Sequence, residues 1–235
     1  MKYLITLLTL GVFCTSAVAQ LDTAALERAM ANPERPADDK ERDASRRAPD
    51  ILAFMGVEPG MTVLDINASA GWYTEVLSYA VGPNGTVYMQ NRPGGRAEDA
   101  ANTRAARLDN VEQIAAITDA PAGSVDFAIT ALNFHDFHNS NPAMAQQIVG
   151  QVASVLKTGG IFGVIDHEGT PGADNESLHR IAFDEAVRAL LASGDFALVG
   201  VSEVLDNPAD DHTVGPFDPS LERKTDRIVL KLMKL

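Results

Sequence analysis

From Gly56 onward, short apolar runs alternate with stretches of helical spacing, and this alternation restricts the possible folds more than any other feature. Val63-Leu64-Asp65-Ile66 reads as a strand introduced by Pro59-Gly60. Gly71 to Val81 reads as a helix with Trp72, Val76, Leu77 and Ala80 inward. Gly82-Pro83-Asn84-Gly85 is a turn into a strand over Thr86 to Gln90. A helix over Glu98 to Leu108, a strand over Val111 to Ile117 and a strand buried on both faces over Val125 to Ala131 follow. Pro142 to Leu156 predicts a helix that stops at Lys157-Thr158-Gly159-Gly160, ahead of a strand over Ile161 to Ile165. Glu176 to Ser193 carries Leu178, Ile181, Ala182, Ala186 and Leu190 at helical spacing, and Phe196 to Val204 and Arg227 to Met233 are late strands.

Each helix returns the chain across a sheet face, so the strands should pair in parallel. The stretch Leu205 to Asp226 has no helical stripe, so the last strand should run antiparallel to its neighbour. The expected fold over residues 56–235 is therefore α/β and doubly wound. Its Rossmann-like sheet is seven-stranded and mostly parallel, with a C-terminal antiparallel strand. Residues 20–55 are polar, charged and interrupted by proline, with a short helix near Leu26 to Met30 and a longer one over Ala37 to Phe54. They are expected to form an N-terminal helical arm.

Residues 1–19 have the pattern of a secretory signal peptide. A basic start at Met1-Lys2 precedes an apolar run from Leu4 to Phe13, and small residues at Ala17-Val18-Ala19 mark cleavage after Ala19. The run is shorter than the ~20 residues a spanning helix needs, so no membrane span is expected after cleavage. A periplasmic or secreted location follows. The single cysteine, Cys14, would leave with the signal, which excludes a disulfide or thiolate nucleophile in the mature chain. With 19 basic against 32 acidic residues, the net charge of −13 repels phosphate backbones and argues against a nucleic-acid partner.

In doubly wound sheets, ligands sit beyond the carboxyl ends of the strands. The turn after the first strand, Asp65-Ile66-Asn67-Ala68-Ser69-Ala70-Gly71, is the first place such a ligand would lie. Together with Gly56-Val57-Glu58-Pro59-Gly60-Met61-Thr62-Val63-Leu64-Asp65, Gly71-Trp72-Tyr73-Thr74-Glu75 and Asn207-Pro208-Ala209-Asp210-Asp211-His212-Thr213, this segment resembles class I S-adenosylmethionine-dependent methyltransferases. The similarity extends to exported bacterial members of that group. The resemblance implies S-adenosylmethionine as cofactor, surrounded by Asp65, Asn67, Ser69, Gly71, Asn91 and Asp119. It also implies methyl transfer to a small-molecule substrate. The family pattern has glycine where Asn67 and Ser69 stand, and an acidic residue where Gln90-Asn91 stand.

Histidine and carboxylate pairs follow two later strands: His135-Asp136 after the fourth and Asp166-His167 after the fifth. Those strand ends share one crevice in this fold, so the four residues should converge there as candidate catalytic groups. Three readings are open. One ring removes a proton from the substrate, its carboxylate orienting the imidazole. Or the groups hold Mn²⁺, Fe²⁺ or Zn²⁺. Or the network is structural and pins the loop that contains His212. At the level of the whole chain, a binding or sensing protein without the cofactor, or a metal-assisted enzyme, stands beside the methyltransferase reading.

Overall fold

The computed structural model describes residues 20–235, and the expected signal peptide at 1–19, with Cys14, lies outside them. The strands are β1 (Thr62–Ile66), β2 (Thr86–Gln90), β3 (Val111–Ile114), β4 (Val125–Ala131), β5 (Leu156–Gly169), β6 (Ile181–Ala182), β7 (Phe196–Val201) and β8 (Arg227–Lys234). They form a sheet in the order β3-β2-β1-β4-β5-β8-β7, with the two-residue β6 pairing beside the end of β5. β1 to β5 pair in parallel along this path, and β8 runs antiparallel to both β5 and β7. The expected mostly parallel sheet with a reversed C-terminal strand is therefore the observed one. The reversed strand is an insertion between two others rather than an edge.

The helices are α1 (Thr23–Met30), α2 (Ala37–Glu41), α3 (Asp43–Arg46), α4 (Ala48–Met55), α5 (Trp72–Val81), α6 (Glu98–Ala105), α7 (Phe134–Ser140), α8 (Pro142–Val155) and α9 (Phe183–Leu191). They cover both faces of the sheet, and side chains alternate between two cores because successive strand residues point to opposite faces. Leu64 and Ile66 of β1 join Phe162 and Val164 of β5 under α8 and α9. Val63 joins Phe127, Ile129 and Val229 under α4 and α5, and Leu26, Met30, Ile51 and Leu52 of the arm belong to this second core.

Three local expectations differ from the structure. The single helix over Ala37 to Phe54 is broken into α2, α3 and α4. Arg47 takes a left-handed φ of 42° and Pro49 sits in the first turn of α4, where its missing N–H has no partner to lose. The third strand ends at Ile114, because the Asp119 carboxylate accepts the N–H groups of Ala115 (3.1 Å) and Ala116 (2.8 Å) and draws the chain into a 3-10 turn. The helix expected from Glu176 begins only at Phe183, since Ile181-Ala182 pair with β5 at Glu168-Gly169. Burial of Ile181 and Ala182 satisfies helical spacing and a strand equally well, which is why spacing misassigned them.

Candidate functional site

β1 delivers the chain to its turn, and the backbone there is left-handed at Asn67 (φ 51°), Ser69 (φ 54°) and Gly71 (φ 80°). Non-glycine residues rarely adopt this conformation, and a short polar side chain such as asparagine tolerates it best. The amides at the end of β2 hold the turn. Gln90 Oε1 accepts the N–H of Asn67 at 3.0 Å, Asn91 Oδ1 accepts that of Ser69 at 2.8 Å, and Asn91 Nδ2 donates to Ser69 O at 2.9 Å. At Gly71 a Cβ would crowd the side chains of Met89 (2.5 Å), Arg104 (3.1 Å) and Thr74 (3.2 Å) on a backbone that glycine adopts most easily. Asp65 is buried at the tip of β1 and accepts from Thr74 Oγ1 at 2.6 Å. Burial pushes its carboxyl up to about 6, against the opposing pull of the Thr74 bonds and the charges of Arg46 and Arg104.

Arg104 fastens this turn to the arm. Its guanidinium lies 2.5 Å from Asp39 Oδ2 and 3.2 Å from Glu75 Oε2, and donates to Gly71 O at 2.9 Å. The indole N–H of Trp72 donates to Asp39 O at 3.0 Å. The arm and the first residues of α5 are thereby held together at the edge of the turn.

Two cavities border Asn67 and Ser69. One, of about 430 Å³, lies beyond β2 and β3 and is lined by Asn91, Arg92, Arg96, Glu98 and Ile114 among others. The second, of about 370 Å³, lies beyond β1 and β4, where Arg42, Arg46, Asp65, Tyr73, Asp136 and Phe217 face it. Of the residues assigned to the cofactor by resemblance, Asn67, Ser69 and Asn91 line the first cavity, and Asp65, Asn67 and Ser69 the second. Gly71 supplies the N-cap of α5 behind the turn, and Asp119 lines neither cavity.

Several of these lining or supporting residues were not singled out from the sequence, among them Arg46, Glu98, Arg104 and Phe217. Glu98 opens α6 immediately after the β2 loop, which was the available signal for it. The Arg46 guanidinium stacks 4.5 Å from the Trp72 ring centroid and has no side-chain hydrogen bond or ion pair among the described residues. Burial lowers its pKa to about 10, so it remains a cation at neutral pH.

The structure brings His135, Asp136, Asp166 and His167 into one cluster. Asp166 is fully buried on β5 and accepts the backbone N–H groups of His135 (2.7 Å) and His167 (2.8 Å), while its Oδ1 lies 2.6 Å from His135 Nδ1. Burial disfavours the His135 imidazolium, but Asp136 and Asp166 outweigh it and raise the pKa to about 9. His167 turns its Nδ1 to Thr225 Oγ1 at 2.6 Å, with its ring 5.7 Å from that of His135. Burial, then the charges of Arg227, His135 and Arg180, push its pKa far down. The two rings are thus pushed in opposite directions, His135 toward its charged form and His167 toward its neutral one.

Asp136 is the member of this cluster that reaches a cavity. Its Oδ1 lies 3.2 Å from His135 Nε2 and 3.1 Å from His179 Nδ1, and the bond to His135 holds its pKa below the usual carboxylate range. The adjacent residues His179 and Arg180 separate completely. His179, with φ 51°, faces Asp136, while Arg180 is fully buried. The Arg180 guanidinium donates to Asp210 at 2.8 and 2.9 Å, and to the carbonyls of Glu168 (2.7 Å) and Val214 (2.9 Å). With His212 Nε2 3.0 Å from Asp226 Oδ2, these contacts pin the long loop ahead of β8.

No protein-family profile matches the chain, and no curated protein matches it in sequence. Solved structures do match its fold. A SAM-dependent methyltransferase from Aquifex aeolicus aligns with 92% of this chain and 100% of its own, at 21% identity and a TM-score of 0.62. An arsenic(III) S-adenosylmethionine methyltransferase from Chlamydomonas reinhardtii aligns with 90% of this chain and 74% of its own, at 16% identity and a TM-score of 0.60. Aeropyrum pernix fibrillarin, solved with natively bound S-adenosyl-L-methionine, aligns with 75% of this chain and 68% of its own, at 16% identity and a TM-score of 0.51. The chain has the fold of the SAM-dependent methyltransferases.

Proposed function

We propose that the protein is an exported S-adenosylmethionine-dependent methyltransferase acting on a small molecule. The observation that carries this reading is the Asp65–Gly71 turn. It takes left-handed backbone at Asn67, Ser69 and Gly71, and it stands between two cavities of about 430 and 370 Å³. The glycines missing from the sequence pattern are missing only as residue types. The amides of Gln90 and Asn91 hold Asn67 and Ser69 in the conformation that glycine would adopt freely.

The residues present fit the cofactor. Glu98, with Oε2 already accepting Gly94 N at 2.9 Å, places a carboxylate at the first cavity, where a ribose diol would be bound. Arg46, without an ion-pair partner among the described residues, offers a cation to an anionic group in the second. Bound there, S-adenosylmethionine would supply an electrophilic methyl group. Asp136, a carboxylate at the wall of the second cavity, would accept a hydrogen bond from the substrate hydroxyl or amine and orient its lone pair. His135, its imidazolium favoured by Asp136 and Asp166, would fix Asp136 in place. Rate enhancement would come mainly from proximity and orientation. The size of the second cavity suits a small substrate, and the net charge of −13 disfavours nucleic acid. Export rests on the leader-like pattern of residues 1–19.

Calorimetric titration of the purified protein with S-adenosylmethionine or S-adenosylhomocysteine tests the reading, with micromolar binding expected. No heat and no rise in Tm at millimolar cofactor would sink it. A second reading, a binding protein on the same scaffold without the cofactor, would then stand. It draws on one observation, that the Asn91 amide is committed to Ser69 on both its oxygen and its nitrogen.

A further inference from the structure

His135 Nε2, Asp136 Oδ1 and His179 Nδ1 converge at the edge of the second cavity, all within 4.8 Å of one another. Two elements supply them: the first turn of α7 and the loop ahead of β6. The edges meeting at Asp136 Oδ1 measure 3.2 and 3.1 Å. Ligands ~2.1 Å from a tetrahedral ion stand roughly 3.4 Å apart, and octahedral neighbours roughly 3.0 Å. Two of the three edges already have this spacing, and the third, between His135 Nε2 and His179 Nδ1, is no longer than 4.8 Å, with the His179 side chain exposed.

Two further features prepare these residues for a cation. Asp166, fully buried, lies 2.6 Å from Nδ1 of His135, so that ring presents Nε2 outward. A carboxylate behind an imidazole is the arrangement that fixes the tautomer and orientation of a metal-ligating histidine. His179 takes left-handed backbone at φ 51°, which an L-residue adopts only where the surroundings impose it. That conformation directs its ring at Asp136, edge-on to His135 with centroids 5.8 Å apart.

We propose that His135 Nε2, the Asp136 carboxylate and His179 Nδ1 bind a divalent first-row transition ion that displaces the Nε2 proton of His135 into solvent, with the remaining coordination positions open to the second cavity. Two imidazoles and one carboxylate form a donor set for Zn²⁺, Mn²⁺ or Fe²⁺; Ca²⁺ and Mg²⁺ require a shell of oxygens. The open positions take water or an oxygen of a molecule bound in the cavity. The proposal does not depend on S-adenosylmethionine binding, since the ligands lie on the Asp136 side of the second cavity and none lines the first.

The test is titration of untagged, chelator-treated protein with Zn²⁺ and Mn²⁺ by calorimetry, and with Co²⁺ by visible absorption. One Zn²⁺ per chain with a Kd in the micromolar range or tighter is expected, together with Co²⁺ d–d bands. His179→Asn keeps a residue that tolerates the left-handed backbone. It should leave the thermal melt of the metal-free protein unchanged and weaken Zn²⁺ at least a hundredfold. Asp136→Asn should weaken Zn²⁺ as much, with some loss of Tm from its bond to His135, whereas His212→Gln, in the pinned loop, should retain full affinity. Absence of binding at millimolar Zn²⁺, equal affinity in His179→Asn, or tighter binding of Mg²⁺ than of Zn²⁺ would each overturn the proposal.

Discussion

Nδ1 of His135 lies 2.6 Å from Oδ1 of Asp166, and the same buried carboxylate accepts the backbone N–H groups of His135 and His167. Three donors meet one carboxylate, and an asparagine there would offer a single acceptor oxygen and turn an NH₂ toward a donor. Asp166→Asn is expected to cost about 3 kcal/mol or more, the range for removing one partner of a buried pair. Urea denaturation measures it, and an unchanged midpoint would contradict the packing described for β5 and α7.

Asp65 sets a pH dependence in the acid range. Its folded pKa of about 6 is above the ordinary carboxyl value of 3.8, so between those values the folded state holds a proton that the unfolded chain releases. Stability from this group is complete below about pH 4 and falls as pH rises through 6, by about 3 kcal/mol in all. The Asp65→Asn variant, which can still accept from Thr74, should lack this fall. Its Tm relative to the parent should therefore rise between pH 4 and pH 7, and a constant difference across that range would reject the assignment.

Arg104→Met should release the arm from the turn. The change strips Asp39 and Glu75 of a buried cation, although Arg42 and Arg107 continue to pair with them. A loss of about 3 kcal/mol, at the low end for a broken buried pair, is expected. Hydrogen exchange should accelerate in both α2 and the start of α5. Acceleration in only one of them would show that Arg104 does not couple the two.

Arg46→Gln probes the second cavity. The guanidinium has no anionic partner among the described residues, so its removal costs little beyond its stacking on Trp72. Tm should move by only a few degrees. If Arg46 receives an anionic group of the cofactor, calorimetry should show the Kd for S-adenosylmethionine rising about tenfold or more. An unchanged Kd would remove Arg46 from the binding role.

The fold was legible because burial leaves periodic traces. Val63 to Ile66 and Val125 to Ala131 read as strands, and the absence of a helical stripe between β7 and β8 foretold the reversed strand. The grouping of His135 with Asp166 followed from strand ends alone. Arg46, Arg104 and Phe217 left no such trace, because tertiary packing decides where a long side chain ends. The dipeptide His179-Arg180 shows the limit most clearly. One ring lies exposed against Asp136 and the next guanidinium is sealed inside, and the left-handed backbone at His179 that parts them is not set by local sequence. Asn67 and Ser69 show the converse, since there a departure in residue type conceals a preserved backbone path.

The insertion of β8 between β5 and β7 has a consequence for the order of assembly. β7 touches the rest of the sheet through β8, so it has no place to dock until Arg227–Lys234 arrives. Val229, Leu230 and Leu232, all buried, close both cores in the same event. A chain delivered from its N-terminus would therefore keep this part of its sheet open until Arg227–Lys234 follows β7, and would lock only when that strand slides into the gap left for it.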